Sequence, residues 1–253
     1  MVSREPLTGK SAGWAGRLGR WAFNLSIFSL VVAALGLTLA RYDVIPKIPG
    51  FLALLIGAVI AAIALIMAVI SLLLGRTRRS GSRGKAIIGL VVSLLYVGFI
   101  ASRPLTANDA PALHDITTDP ANPPQFEVLA LRPDNLAGVG TLDNWRKMHA
   151  QAYPDLRPVT IAKPVSVVTA NAIRLAREAG WEVVAGDTGA GHVEATASVS
   201  YIRFHDDVVI RIAPLAGGNG SRVDMRSVSR VGVGDLGINA RRIRTFLDAL
   251  AAA

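Results

Sequence analysis

The sequence predicts an α+β protein in two parts: an N-terminal three-helix transmembrane region, then a soluble domain with an antiparallel sheet and two helices. Three observations carry this. Long uncharged stretches run between Arg20 and Arg41, Lys47 and Arg76, and Lys85 and Arg103, and none follows them. The charge divides at the same place. Up to Arg103 there are 12 Lys/Arg against 2 Asp/Glu, and from Pro104 onward 15 against 16. Beyond residue 124, short alternating apolar segments are separated by Gly-rich turns, the pattern of strands in a half-buried sheet.

About 20 apolar residues are needed to cross a bilayer, which gives spans at about 21–40, 50–74 and 86–102 within a transmembrane region 1–103. The first run is too long for the apolar core of a signal peptide, and two further spans follow it. Glycines at 57, 75, 89 and 98 suit close helix packing. Orientation follows from basic residues in short loops. Arg4, Lys10, Arg17 and Arg20 precede the first span, and RTRRSGSRGK (76–85) joins the second to the third. The loop between the first two holds only Arg41 and Lys47, offset by Asp43. The expectation is a multi-pass protein of a bacterial inner membrane, with the N-terminus cytoplasmic and the C-terminal domain periplasmic. The lipid bilayer is its first partner.

The net charge of +9 therefore belongs to the membrane region, where anionic headgroups attract it. The soluble part is near neutral, which removes the electrostatic footprint of a nucleic-acid binder. The chain has no cysteine, so disulfides, zinc–thiolate sites and thiol nucleophiles are excluded.

Residues 104–124 contain five prolines and read as an extended linker before a soluble domain at 125–253. Within that domain, Val159–Ile161 is a short strand. Val165–Ala179 has helical spacing and stops at Gly180. Trp181–Ala185, His192–Phe204, Val208–Ile212 and Arg222–Arg230 are strand-like, with GGNG (217–220) as a hairpin turn. Asp235 is a plausible N-cap for a final helix from about Leu236 to Ala251. Its apolar face is Ile238, Ile243, Phe246, Leu247 and Leu250, leaving Arg241, Arg242 and Arg244 largely on other faces.

FHDDVVIRI (204–212) and RSVSRVGVGDLGINARRI (226–243) resemble the domain of unknown function 1499 family. The matching residues are Phe204, Asp206, Asp207, Arg226, Ser227, Ser229, Arg230, Gly232, Asp235, Leu236, Gly237, Asn239 and Arg242. HDITTDP (114–120), the PPQF that follows and AYPDLRP (152–158) are similar to its membrane-anchored bacterial branch. The cysteine-containing start of many members is absent here. The resemblance covers about His114 to the C-terminus and implies a domain without an established activity.

The candidate ligand-binding residues are Arg226, Ser227, Ser229, Arg230, Asp235, Asn239 and Arg242. On a strand, Asp224, Arg226, Val228 and Arg230 share one face, and Met225, Ser227 and Ser229 the other. Two arginines side by side need anions. Either Asp206, Asp207 and Asp235 supply carboxylates internally, or Gly232 and Gly234 before a helix N-terminus help form an anion site. Asp206 and Asp207 are adjacent, point to opposite faces and read as ion-pair candidates rather than a catalytic couple. His114 with Asp115 and Asp119 reads as Asx-turn chemistry. The other histidines lack ligand spacing, and GVGDLG is no dinucleotide fingerprint. No cofactor and no metal site is expected. The first function class is a cell-envelope protein whose domain binds an envelope partner or a small anionic ligand. The second is a membrane-bound hydrolase using the Asp and Arg residues.

Overall fold

The structure, a computed structural model, describes residues 9–75, 82–102 and 110–253. The chain forms two compact units, Met1–Pro104 and Leu105–Ala253.

The first unit is three helices, α1 (Gly9–Arg41), α2 (Lys47–Leu74) and α3 (Arg83–Ser102). All are long and apolar enough to cross a membrane. Small residues fill their interior: Ala22, Ala61, Ala64, Ala68 and Ala86 are fully buried. At Gly36 and Gly50 a Cβ would collide with Ala53 and Ala40, so these glycines set how closely α1 and α2 approach. Hydroxyls bond across helices: Ser71 Oγ donates to Ala15 O and Tyr96 OH to Leu54 O, both at 2.7 Å. The basic run expected to orient the chain lies partly outside the described residues, at 76–81.

The second unit is a six-stranded antiparallel sheet with three helices. Its strands are β1 (Asp115–Thr117), β2 (Val159–Ile161), β3 (Glu182–Asp187), β4 (His192–Val199), β5 (Phe204–Pro214) and β6 (Ser221–Ser229). The order is β1-β6-β5-β4-β3, with β2 also pairing β6. The two short strands thus share one long edge, β1 against 226–228 and β2 against 221–223. Strand β4 ends at Val199, short of the expected Phe204, which instead opens β5. Helices α5 (Val165–Glu178) and α6 (Ile238–Ala252) cover one face. Val168, Ala172, Ile243 and Phe246 close over Val193, Val208, Ile210 and Met225.

Two expectations change. A third helix, α4 (Leu142–Ala152), joins the two predicted ones. Its buried residues are Trp145 and His149, and a histidine in the stripe hides the apolar period. Thr141 caps it, accepting from Asn144 N at 3.2 Å. The linker also ends sooner than residue 124. Leu113, His114, Asp115, Ile116, Thr117 and Thr118 are all buried, and β1 belongs to the sheet.

Candidate functional site

The recognisable residues cluster where β5 and β6 run side by side, and the period of two splits them into two networks. Asp206 opposes Ser229 and Asp207 opposes Val228.

On the face away from α5 and α6, Arg226 forms a fork with Asp115. Nε donates to Oδ1 at 2.9 Å and Nη2 to Oδ2 at 2.7 Å, with both residues buried. Its remaining donor reaches Pro124 O at 3.2 Å, and the guanidinium lies 5.8 Å from the Phe126 ring. Arg230 makes a second fork to Asp207, both contacts at 2.8 Å, with Thr196 Oγ1 bonded to each partner. Arg211 and Arg222 share Asp119 and Asp224.

Over this polar face runs an irregular strap, residues 119–132. Glu194, fully buried, holds it: its carboxylate accepts from Glu127 N (2.5 Å), Val128 N (3.0 Å) and Leu129 N (2.7 Å). His192 Nε2 adds a contact at 2.8 Å. Burial alone would raise the Glu194 carboxyl, but these N–H groups and His192 hold it below the usual glutamate range. Arg132 ties the strap's end to Gly232 O at 2.7 Å and holds Asp134 down to about 2. The space left beside Phe126, Arg132 and Arg230 is about 20 Å³, room for one water.

Facing the helices lies the second network. Arg242 turns inward rather than outward, donating to Asp206 Oδ2 at 2.6 Å and to Ser227 Oγ at 2.8 Å. Asn239 receives the Ser227 hydroxyl at 2.7 Å, also accepts from Arg242, and donates to Ser229 Oγ at 2.9 Å. Asp235 caps α6 from two residues before Gly237, the N-cap, accepting from Gly237 N at 2.8 Å and Asn239 N at 2.6 Å. Gly237 sits at φ +76°, a left-handed conformation that favours glycine. Burial pushes the Asp235 carboxyl above the usual aspartate range, against those N–H groups.

All seven candidate ligand residues are thus located. Arg226 and Arg230 lie under or beside the strap; Ser227, Ser229, Asp235, Asn239 and Arg242 lie between sheet and α6. Asp206 and Asp207 each meet an arginine on opposite faces. Three arginines of the motif are occupied by carboxylates, and the Ser227 and Ser229 hydroxyls bond Asn239 rather than a base. A Ser–His contact exists elsewhere, Ser198 Oγ to His205 Nδ1 at 3.3 Å, but it is exposed. Asp115, expected to serve turn chemistry, is instead the partner of Arg226, and Glu194 carries no signal in the sequence. Asp115 sits 111 residues before its arginine, and Glu194 is held mainly by backbone N–H groups, with His192 its only side-chain partner among the described residues.

His149 Nε2 accepts from Thr117 N at 3.1 Å, and burial lowers its pKa. The ring is neutral with its proton on Nδ1.

The open space lies elsewhere. A groove of about 450 Å³ separates the C-terminal end of α5 from α6, walled by Leu175, Ala179, Trp181, Ile238, Phe246 and Ala249, with Thr245, Arg242 and the carboxylate Glu178, itself paired with Arg174, also in its lining. Trp181 stacks on Phe246 with centroids 4.9 Å apart. Arg241 lines it, and its guanidinium is bound to no carboxylate among the described residues.

A family model described as "Protein of unknown function (DUF1499)" matches residues 115–250. No curated protein and no solved structure matches the chain.

Proposed function

The chain belongs to this family of unknown function, DUF1499, and on that premise we propose that it is a membrane-anchored, non-catalytic binding protein of the cell envelope. Helices α1–α3 hold it in a bacterial inner membrane, and the soluble unit works on the periplasmic side. Loop charge supports that orientation. The ligand is a small anion with an apolar body, and its site is the groove between α5 and α6.

One contrast carries this reading. Arg226, Arg230 and Arg242 are committed to Asp115, Asp207 and Asp206. Arg241 and Arg242 both line an open, largely apolar groove of ligand size, and of the two only Arg241 has no carboxylate partner among the described residues. A cation at the rim with an aromatic stack in the wall suits a carboxylate or sulfonate on a flat or chain-like body.

The test is thermal unfolding of the full chain in lipid nanodiscs, titrated with 2-naphthoate. Binding to the folded state raises stability by about 2.7 kcal/mol at a hundredfold excess over Kd. A saturable rise is expected in wild type, weaker in Arg241→Ala and absent in Ala249→Trp, which fills the groove. No rise, or one untouched by Ala249→Trp, overturns the assignment.

A further inference from the structure

At the end of the sheet away from the β5–β6 hairpin, residues 230–237 lead from β6 into α6. Two large apolar side chains stand out from this loop, Val233 at 51% exposure and Leu236 at 55%. Leu136 is exposed nearby, in the segment whose Gly138 lies against Val233. Leu236 has φ +55°, a left-handed conformation that is strained for a side chain of this size. The strain is held in place. Asp235, on one side, is buried and bonds the N–H groups of Gly237 and Asn239. The fold therefore fixes Leu236 outward and gains no burial from it.

The second observation is where the chain arrives. Ala110 lies against Gly237, Ala112 lies against Gly234, and Asp235 N donates to Leu113 O at 3.2 Å. Only residues 103–109 join Ala110 to Ser102, the end of α3. The eight Cα–Cα steps from Ser102 to Ala110 span at most about 29 Å. The protruding side chains thus belong to the end of the soluble unit at which the chain arrives from its membrane-length helices.

We propose that Val233 and Leu236, flanked by Leu136, are a membrane-contact loop that dips into the lipid headgroup region. The inference rests on the reading that α1–α3 span the bilayer. Two side chains bury too little apolar surface to anchor a free protein. A tethered domain faces a high effective concentration of lipid, so a weak contact suffices.

The chain lacks cysteine, so single cysteines can be labelled without background. Leu236→Cys and Val233→Cys, carrying an environment-sensitive nitrobenzoxadiazole dye, are reconstituted as full chains in vesicles of phosphatidylethanolamine and phosphatidylglycerol with spin-labelled lipid. Ile66→Cys, 60% exposed on α2, reports spanning. Asn219→Cys in the hairpin turn reports water. Quenching at 236 and 233 is expected to exceed that at 219 at least threefold, and Leu236→Asp should abolish it at 233. Quenching at 66 with 236 indistinguishable from 219 sinks the loop contact alone. A label at 236 that is shielded from water yet unquenched by lipid assigns the loop to a protein partner or second copy and also overturns it. An unquenched label at 66 removes the spanning premise instead.

Discussion

In α1–α3 the buried positions carry Ala22, Ala61, Ala64 and Ala68, while Ile66, Leu73 and Leu95 face outward. In the soluble unit Ile210, Met225 and Ile243 are buried and arginines ring the sheet. The two units spend the same residue types in opposite ways. Hydrocarbon, the surroundings that helices of this length and hydropathy fit, would give large apolar side chains no reason to turn inward; close approach of small residues and a few hydroxyl bonds hold the bundle. Water drives large side chains into the core of the soluble unit. Its second sheet face is then closed by carboxylate–arginine forks instead of hydrocarbon. Each unit therefore has its own weak point: volume in the bundle, charge in the sheet.

The contrast can be broken most sharply at Asp115. Asp115→Ala leaves Arg226 buried without its fork, and loss of about 3–5 kcal/mol is expected. Denaturant unfolding of residues 105–253 expressed alone measures this. That fragment should itself unfold in one cooperative transition. A loss within experimental error would mean that Arg226 reaches solvent.

Glu194→Gln comes next. It removes charge from an acceptor of three N–H groups, costing about 1.5–3 kcal/mol. The same group gives a pH signature. Its folded pKa is depressed, so its stabilisation is present above the unfolded value of about 4.3 and is lost as pH falls below that. Hydrogen-exchange protection at Glu127, Val128 and Leu129, taken relative to the intrinsic rate at each pH, should fall across that window in wild type and be low throughout in the mutant.

In the bundle the reverse experiment applies. Gly50→Val would collide with Ala40, costing about 1–3 kcal/mol of helix packing. The soluble unit's transition should not move. A matched loss in both units would show coupling between them.

The smallest effect is expected at Arg174, paired with Glu178 at 2.9 Å with both exposed. Arg174→Ala should change stability by about 0.5 kcal/mol or less, which separates surface charge from the forks.

Legibility in the sequence followed the same divide. The helices of membrane length were readable because length and lack of charge are properties of one segment. The strands were readable by alternation, which also put Asp206 and Asp207 on opposite faces. The pairing of Asp115 with Arg226 escaped because its strand is three residues long and lies among prolines that suggest a tether. Helix α4 escaped because His149 stands in its buried stripe. The groove could not be read at all. It is bounded by Leu175 and Phe246, which no local pattern relates, and it exists only once α5 and α6 lie on the same sheet.

Glu194 recognises the strap through peptide N–H groups and no side chain of residues 127–129. Such a grip is indifferent to spelling. Any residue but proline can offer its N–H at those three places, so this part of the strap's path is set by β4 rather than by the side chains of 127–129. The outward side chains at 127–129 can then change chemistry without the sheet beneath them being rebuilt.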